Sequence, residues 1–179
     1  MSIKDSIIGL AAPVAAFLLD GLLSADTKAR LIYWRYRHPL PGSFAFSIHL
    51  EKEPRANPDQ LVQEWGTFPE DPVEQNRLWY RVYRSVEKEI RVHEAHRAWL
   101  LSRDLTAYTI LFLIIFGTAT LLSNAPWAIE WWYLTALAVQ CLTAIVAART
   151  YGVRFVRTVL AVASHGHQPS PTENTQSTT

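Results

Sequence analysis

The sequence predicts an all-α membrane protein: an antiparallel transmembrane helical hairpin, an N-terminal apolar helix that spans the bilayer or lies in its interface, and a small, mostly helical cytoplasmic region. Three observations lead there. The 179 residues are 49% hydrophobic and 18% charged with a net charge of +1, yet between Leu105 and Ala148 the only formal charge is Glu130. Two apolar runs of spanning length sit almost back to back. Lysine and arginine flank those runs and are missing from the turn between them.

The N-terminal run "SIIGLAAPVAAFLLDGLLS" (6–24) is near spanning length but contains Pro13, Asp20 and two glycines. Lys4 precedes it, whereas Lys28, Arg30, Arg35 and Arg37 follow. If it spans, that asymmetry places residue 25 onward inside by the positive-inside rule. Two alternatives stay open: a helix lying in the interface or packed beside the hairpin, and a signal peptide ending near Ala25, which would export the middle region against the charge pattern downstream. Residues 1–27 are therefore taken as one segment and 28–104 as the cytoplasmic region.

Within that region "KARLIYWRYRH" (28–38) is basic and aromatic, "HPLPG" (38–42) reads as a turn, and "SFAFSIHL" (43–50) as a short extended or irregular piece. The stretch 51–74 is acidic and proline-rich, with a short helix expected around Asp59–Trp65, capped by Asn57 with Pro58 at the first helical position. A long amphipathic helix is expected from about residue 72. Asp71 is a good N-cap, Pro72 suits the first turn, and Glu74 stands at the third position as in a capping box. Arg77, Arg81, Arg84, Lys88 and Arg91 recur every three or four residues and line one face. Trp79, Tyr83, Val86, Ile90 and His93 do so opposite, widened by Leu78 and Val82. No proline or glycine interrupts residues 73–116, so one long helix, straight or kinked, is expected to run from the cytoplasm into the bilayer.

The runs 105–123 and 127–148 are each long enough to cross a hydrocarbon core of about 30 Å. Only "NAP" separates them, which forces an antiparallel hairpin. Trp127, Trp131, Trp132 and Tyr133 lie at the turn end and Tyr108 and Tyr151 at the other, as aromatic belts do. Arg97 and Arg103 before the hairpin, with Arg149, Arg154 and Arg157 after it, place the turn outside and both flanks in the cytoplasm. The expected location is a bacterial inner membrane. Residues 149–163 either prolong the second helix or lie on the membrane, and the polar tail 164–179 has the composition of disorder.

No catalytic, cofactor or metal site is expected. "HEAHR" (93–97) lacks the second histidine of a zinc protease motif, because position 97 is arginine; His93 and His96 alone do not complete a site. Cys141 is the single cysteine and reads as an inert buried thiol. There is no phosphate-binding glycine loop and no nucleophile elbow. A lipid-handling enzyme would have to be built from His93, His96 and neighbouring acids. Near-neutral charge argues against nucleic acid as a partner. The basic residues Arg30, Arg35, Arg37, Arg77, Arg81, Arg84, Lys88 and Arg91 are instead a face for lipid or a protein partner, with the acidic loop 51–74 expected to neutralise the stripe from Arg77 onward. On the second span Ala136, Gln140, Ala144 and Ala148 recur every four residues, and Gly117 lies among small residues on the first. Such positions suit either packing within the hairpin or a seam between copies, with Gln140 seeking a partner or lining a narrow pore.

Three pieces, "YWRYRHPLPGSFAFS" (33–47), "DPVEQNRLWYRVYR" (71–84) and "AHRAWLLSRDLTA" (95–107), resemble small uncharacterised bacterial inner-membrane proteins. That class is similar to the transmembrane effectors of anti-phage systems of the retron or cyclic-nucleotide signalling type. The resemblance implies a non-enzymatic effector that oligomerises and disturbs the membrane under the control of a cytoplasmic partner, with no catalytic residues to carry across. The alternative is a membrane anchor or assembly subunit recruiting a cytoplasmic protein through residues 28–104.

Overall fold

The structure, a computed structural model, describes residues 21, 23–122 and 127–165. The N-terminal apolar run (all but its last residues), the hairpin turn and the tail beyond His165 lie outside the described residues. Every regular element among the described residues is helical. Among the described residues there are five α-helices: α1 Ala25–Tyr33, α2 Pro58–Trp65, α3 Pro72–Val86, α4 Ile90–Leu121 and α5 Trp127–Ala163.

The chain falls into two compact units. The first contains the described residues up to Leu40 together with Arg97–Gly152. Its frame is the antiparallel pair α4 and α5. Contacts between them keep a strict register: Gly117 faces Leu134, the Thr106 hydroxyl donates to the Ala144 carbonyl at 3.0 Å, and Trp99 lies against Gly152. Both helices are long and apolar enough to cross a membrane, and only 22% and 17% of their most apolar stretches are buried within the protein. Helix α1 packs on this pair through Ala29 and Ile32, both buried. It begins at Ser24, whose hydroxyl accepts from the Thr27 amide, and ends at Trp34, whose amide donates to the Arg30 carbonyl from a left-handed conformation (φ 53°).

The second unit contains Pro41–His96 and the residues from Val153. Its core is Leu61, Leu78, Val82, Val92, Val156, Val159 and Leu160, all nearly inaccessible. The two caps expected here are formed. Asn57 Oδ1 accepts from the Asp59 and Gln60 amides, and Asp71 Oδ2 from those of Val73 and Glu74. Each supplies an acceptor for amides that have no partner inside the helix. Glu74 turns its carboxylate to Arg77 (2.5 Å).

Two expectations are corrected. The amphipathic helix that starts at Pro72 stops at Val86, and the chain turns at residues 87–89 before α4. Along one straight helix, residues 83 and 96 would stand about 20 Å apart; in the structure the Tyr83 hydroxyl and His96 Nδ1 are 3.0 Å apart. Folding back lets the apolar faces of α3 and the start of α4 share one core, so Val86 and Val92 are buried, while Ile90 is 75% exposed and His93 faces outward. The segment expected to be extended or irregular at 43–50 is instead a 3-10 turn, Pro41–Phe44, followed by a π-helical segment, Ala45–His49. A buried glutamine, Gln75, holds it. Its Oε1 accepts from the amides of Phe46 and Ser47 and from the Ser47 hydroxyl, and its Nε2 donates to the Glu70 carbonyl. Gly42 lets this turn press on α3, since a Cβ there would stand 2.6 Å from both Asn76 and the Trp79 ring.

Candidate functional site

The small-residue positions of the hairpin do not form one face. Gly117 and Ala148 are buried, and Ala144 is half-buried with its carbonyl held by Thr106. These residues serve packing within the pair. Ala136 and Gln140 are exposed, amid an outward surface that includes Val139, Leu142 and Val146. The one amide of the second apolar run is thus directed away from its own hairpin.

The eight basic residues are all exposed, but they lie in two units. Arg30, Arg35 and Arg37 belong to the first; Arg77, Arg81, Arg84, Lys88 and Arg91 belong to the second, where the break after Val86 separates the last two from the face of α3. Of the acidic stretch 51–74, only its last residue, Glu74, forms an ion pair with the stripe among the described residues. Arg77 pairs with Glu74 and Arg84 with Glu87, each one turn away along the chain. Among the described residues no ion pair joins the acids of 51–70 to this stripe. Long side chains on a helix reach neighbours at i+3 with little loss of freedom, whereas a loop partner would have to be held in place. Such exposed pairs stabilise by at most about 1 kcal/mol. Arg81 makes no ion pair among the described residues, and it borders a shallow groove with Asn76, Arg77 and Tyr80.

The acid of the loop that is buried, Glu53, is satisfied locally. Arg55 donates to it from its amide and from its guanidinium, at 2.6 and 3.1 Å. These hydrogen bonds, with a further contribution from the charge of Arg157, hold the Glu53 carboxyl below the usual glutamate range. Because the folded state binds this proton more weakly than the unfolded chain, the pair contributes stability above the ordinary glutamate pKa and loses it as pH falls through the lowered value. Glu53→Gln should therefore flatten the acid limb of the stability curve of the purified chain, measured by unfolding at a series of pH values. An unchanged acid limb would show that other carboxylates carry it. Arg55 is largely exposed, so the effect is modest.

An aromatic cluster lies inside the second unit. Trp79 stacks with Tyr83, His96 lies flat on Phe155 with ring centres 4.9 Å apart, and Tyr83 bonds to His96. His96 is therefore a half-buried packing residue, and His93 is exposed. Among the described residues no group of three metal-ligating side chains converges.

The polar features not anticipated from sequence lie where α1 meets the hairpin, all within the first unit. Lys28 is buried and its Nζ donates to Asp104 at 3.0 Å; Arg103 also pairs with Asp104. Arg149 Nε donates to the Ile32 carbonyl at 2.6 Å, and its guanidinium lies 4.7 Å from the Trp34 ring centre. Tyr33 packs on Trp99, and its buried hydroxyl, which has no hydrogen-bond partner, lies against Gly152. Burial pushes the Tyr33 phenol far above its usual range, against the charges of Arg149 and Arg35. The available signal was one carboxylate directly before the first apolar run and one arginine directly after the second. Their partner, 70 and more residues away in sequence, leaves no local pattern.

The fold thus defines an all-helical protein built on two long apolar helices packed antiparallel. Comparison with known proteins finds no matching family model, no matching curated protein and no matching solved structure.

Proposed function

We propose that this chain is an integral protein of a bacterial inner membrane, with residues 28–104 and the C-terminus in the cytoplasm, and that it acts without catalysis, by self-association within the membrane under the control of a cytoplasmic partner. The observation that carries the reading is the outward surface of the hairpin: apolar, uncharged, mostly unburied, and bearing Gln140 beside Ala136. In water such a surface would demand cover. In a bilayer lipid covers the apolar part, and the remaining amide finds its hydrogen bond on a second copy, where a small residue allows close approach. Disturbance of the membrane by the assembled form, as in the defence effectors that the sequence resembles, is the activity proposed.

Induced expression of the full chain should depolarise cells. Gln140→Leu and Ala136→Leu should weaken that effect and reduce cross-linked dimers in membranes about 5- to 30-fold, the equivalent of one or two kcal/mol for an interhelical hydrogen bond. Wild-type expression that leaves the membrane potential intact, even with genomic neighbours present, would sink the effector reading. Ala144→Leu is a poorer test, because Ala144 belongs to the packing of the hairpin itself.

A second reading, an anchor that recruits a cytoplasmic protein, is favoured by the exposed face of α3, where Arg77 and Arg81 flank Tyr80, itself 54% exposed. Charge reversal at Arg77, Arg81 and Arg84 should then abolish co-purification of one specific acidic partner, while Gln140→Leu leaves it intact.

A further inference from the structure

We propose that residues 25–37 form an interfacial collar that binds the anionic headgroups of membrane lipid, an inference that rests on the membrane reading of the hairpin. The level of α1 on the hairpin is set by two clasps. Lys28 is tied to Asp104, immediately before Leu105, where the uncharged run of α4 begins. The Ile32 carbonyl is tied to Arg149, immediately after Ala148, where the apolar run of α5 ends. Helix α1 therefore crosses both helices at the boundary between their charged and apolar parts, which in a bilayer is the headgroup layer.

What α1 leaves outward fits that layer. Ala29 and Ile32 are spent on the hairpin, whereas Arg30, Trp34, Arg35, Tyr36 and Arg37 are exposed. Trp34 is 68% and Tyr36 91% exposed, large amphipathic rings of the kind that collect between water and hydrocarbon. Trp34 is held in that position: it takes a left-handed conformation rare for a residue with a side chain, and Arg149 supports its ring. A disordered tether would not need either device. Around the two rings the only acid of residues 25–37 is Asp26, so the local charge is strongly positive. Basic residues at an anionic leaflet strengthen binding by roughly fivefold each. The stripe of α3 has no clasp to the boundary of the apolar runs, and it is not part of this site.

The test uses the full chain reconstituted into vesicles of phosphatidylcholine with or without phosphatidylglycerol. Alkaline carbonate extraction comes first, and release of the protein would overturn the membrane reading and the collar together. For retained protein, spin-labelled phosphatidylglycerol should associate in preference to spin-labelled phosphatidylcholine, and added salt should reduce the preference. The preference should fall roughly fivefold for each of Arg30→Gln, Arg35→Gln and Arg37→Gln. The corresponding Arg→Lys variants should keep most of it, which separates loss of charge from loss of fold. Headgroup-proximal brominated lipid should quench wild type more than Trp34→Phe. Retention with no lipid preference, or a preference untouched by the three glutamines, would overturn the collar and leave the membrane reading standing. Equal displacement of the lipid by soluble glycerol phosphate would also overturn it, since the site would then be one for free phosphate.

Discussion

Replacing Gln75 by methionine should destabilise the protein by about 3–5 kcal/mol, a large fraction of the 5–15 kcal/mol that ordinarily holds a domain together. Methionine preserves the length of the side chain and nearly its volume, so packing against α3 changes little. What disappears is the acceptor shared by the amides of Phe46 and Ser47 and the Ser47 hydroxyl, together with the donor to the Glu70 carbonyl. Gln75 is 2% exposed, so water cannot readily replace the lost bonds. Each buried amide left without a partner costs about 1–3 kcal/mol, more than the bond itself contributes. Ser47→Ala removes only the outermost of these bonds and should cost well under half as much. Unfolding of the purified chain in detergent, followed by tryptophan fluorescence, measures both. A loss below about 1 kcal/mol for Gln75→Met would mean that residues 41–49 hold their conformation without it.

Gly152→Ala should destabilise by about 1–3 kcal/mol despite the better helix propensity of alanine. Inside a helix, alanine is ordinarily favoured over glycine by about 1 kcal/mol. Here the added Cβ meets the Tyr33 hydroxyl and stands 3.0 and 3.1 Å from two atoms of the Trp99 ring. Both rings are packed against one another, so neither can retreat without disturbing the seat of α1. Tyr33→Phe alone should have the opposite sign. It removes a buried hydroxyl that bonds to nothing, and should stabilise by up to about 1 kcal/mol. In the double variant much of the Gly152→Ala loss should be recovered, because the nearest obstacle is gone. Additive effects of the two substitutions would show that Trp99, not the hydroxyl, is the obstacle.

These two residues also show where reading the sequence stops. Nothing around Gly152 in the sequence marks its role: α5 runs through it, and the glycine makes room for a ring from residue 33. Gln75 lies on the exposed side of no simple pattern; it is one polar residue among several in the first turns of α3. By contrast Asp71 and Asn57 were legible, because a cap acts on amides two and three residues away. The spacing of small residues on α5 was legible, but its division into Ala144 and Ala148 facing inward and Ala136 and Gln140 facing outward depends on where α4 lies.

What the sequence determined by itself is therefore whatever depends on near neighbours. The two apolar helices, their tight antiparallel connection and the capped starts of α2 and α3 follow from composition, periodicity and groups within a few residues of each other. Only the tertiary structure decided the turn at 87–89, the 3-10 and π geometry of 41–49 and the seat of α1 on the hairpin. Each of these is governed by partners distant in the chain: Tyr83 with His96, Phe46 with Gln75, Lys28 with Asp104, Ile32 with Arg149. The helix between 73 and 116 has no local breaker, so nothing in its own residues demands a turn. It turns because two apolar faces on one chain bury more surface by sharing a core than by remaining in line.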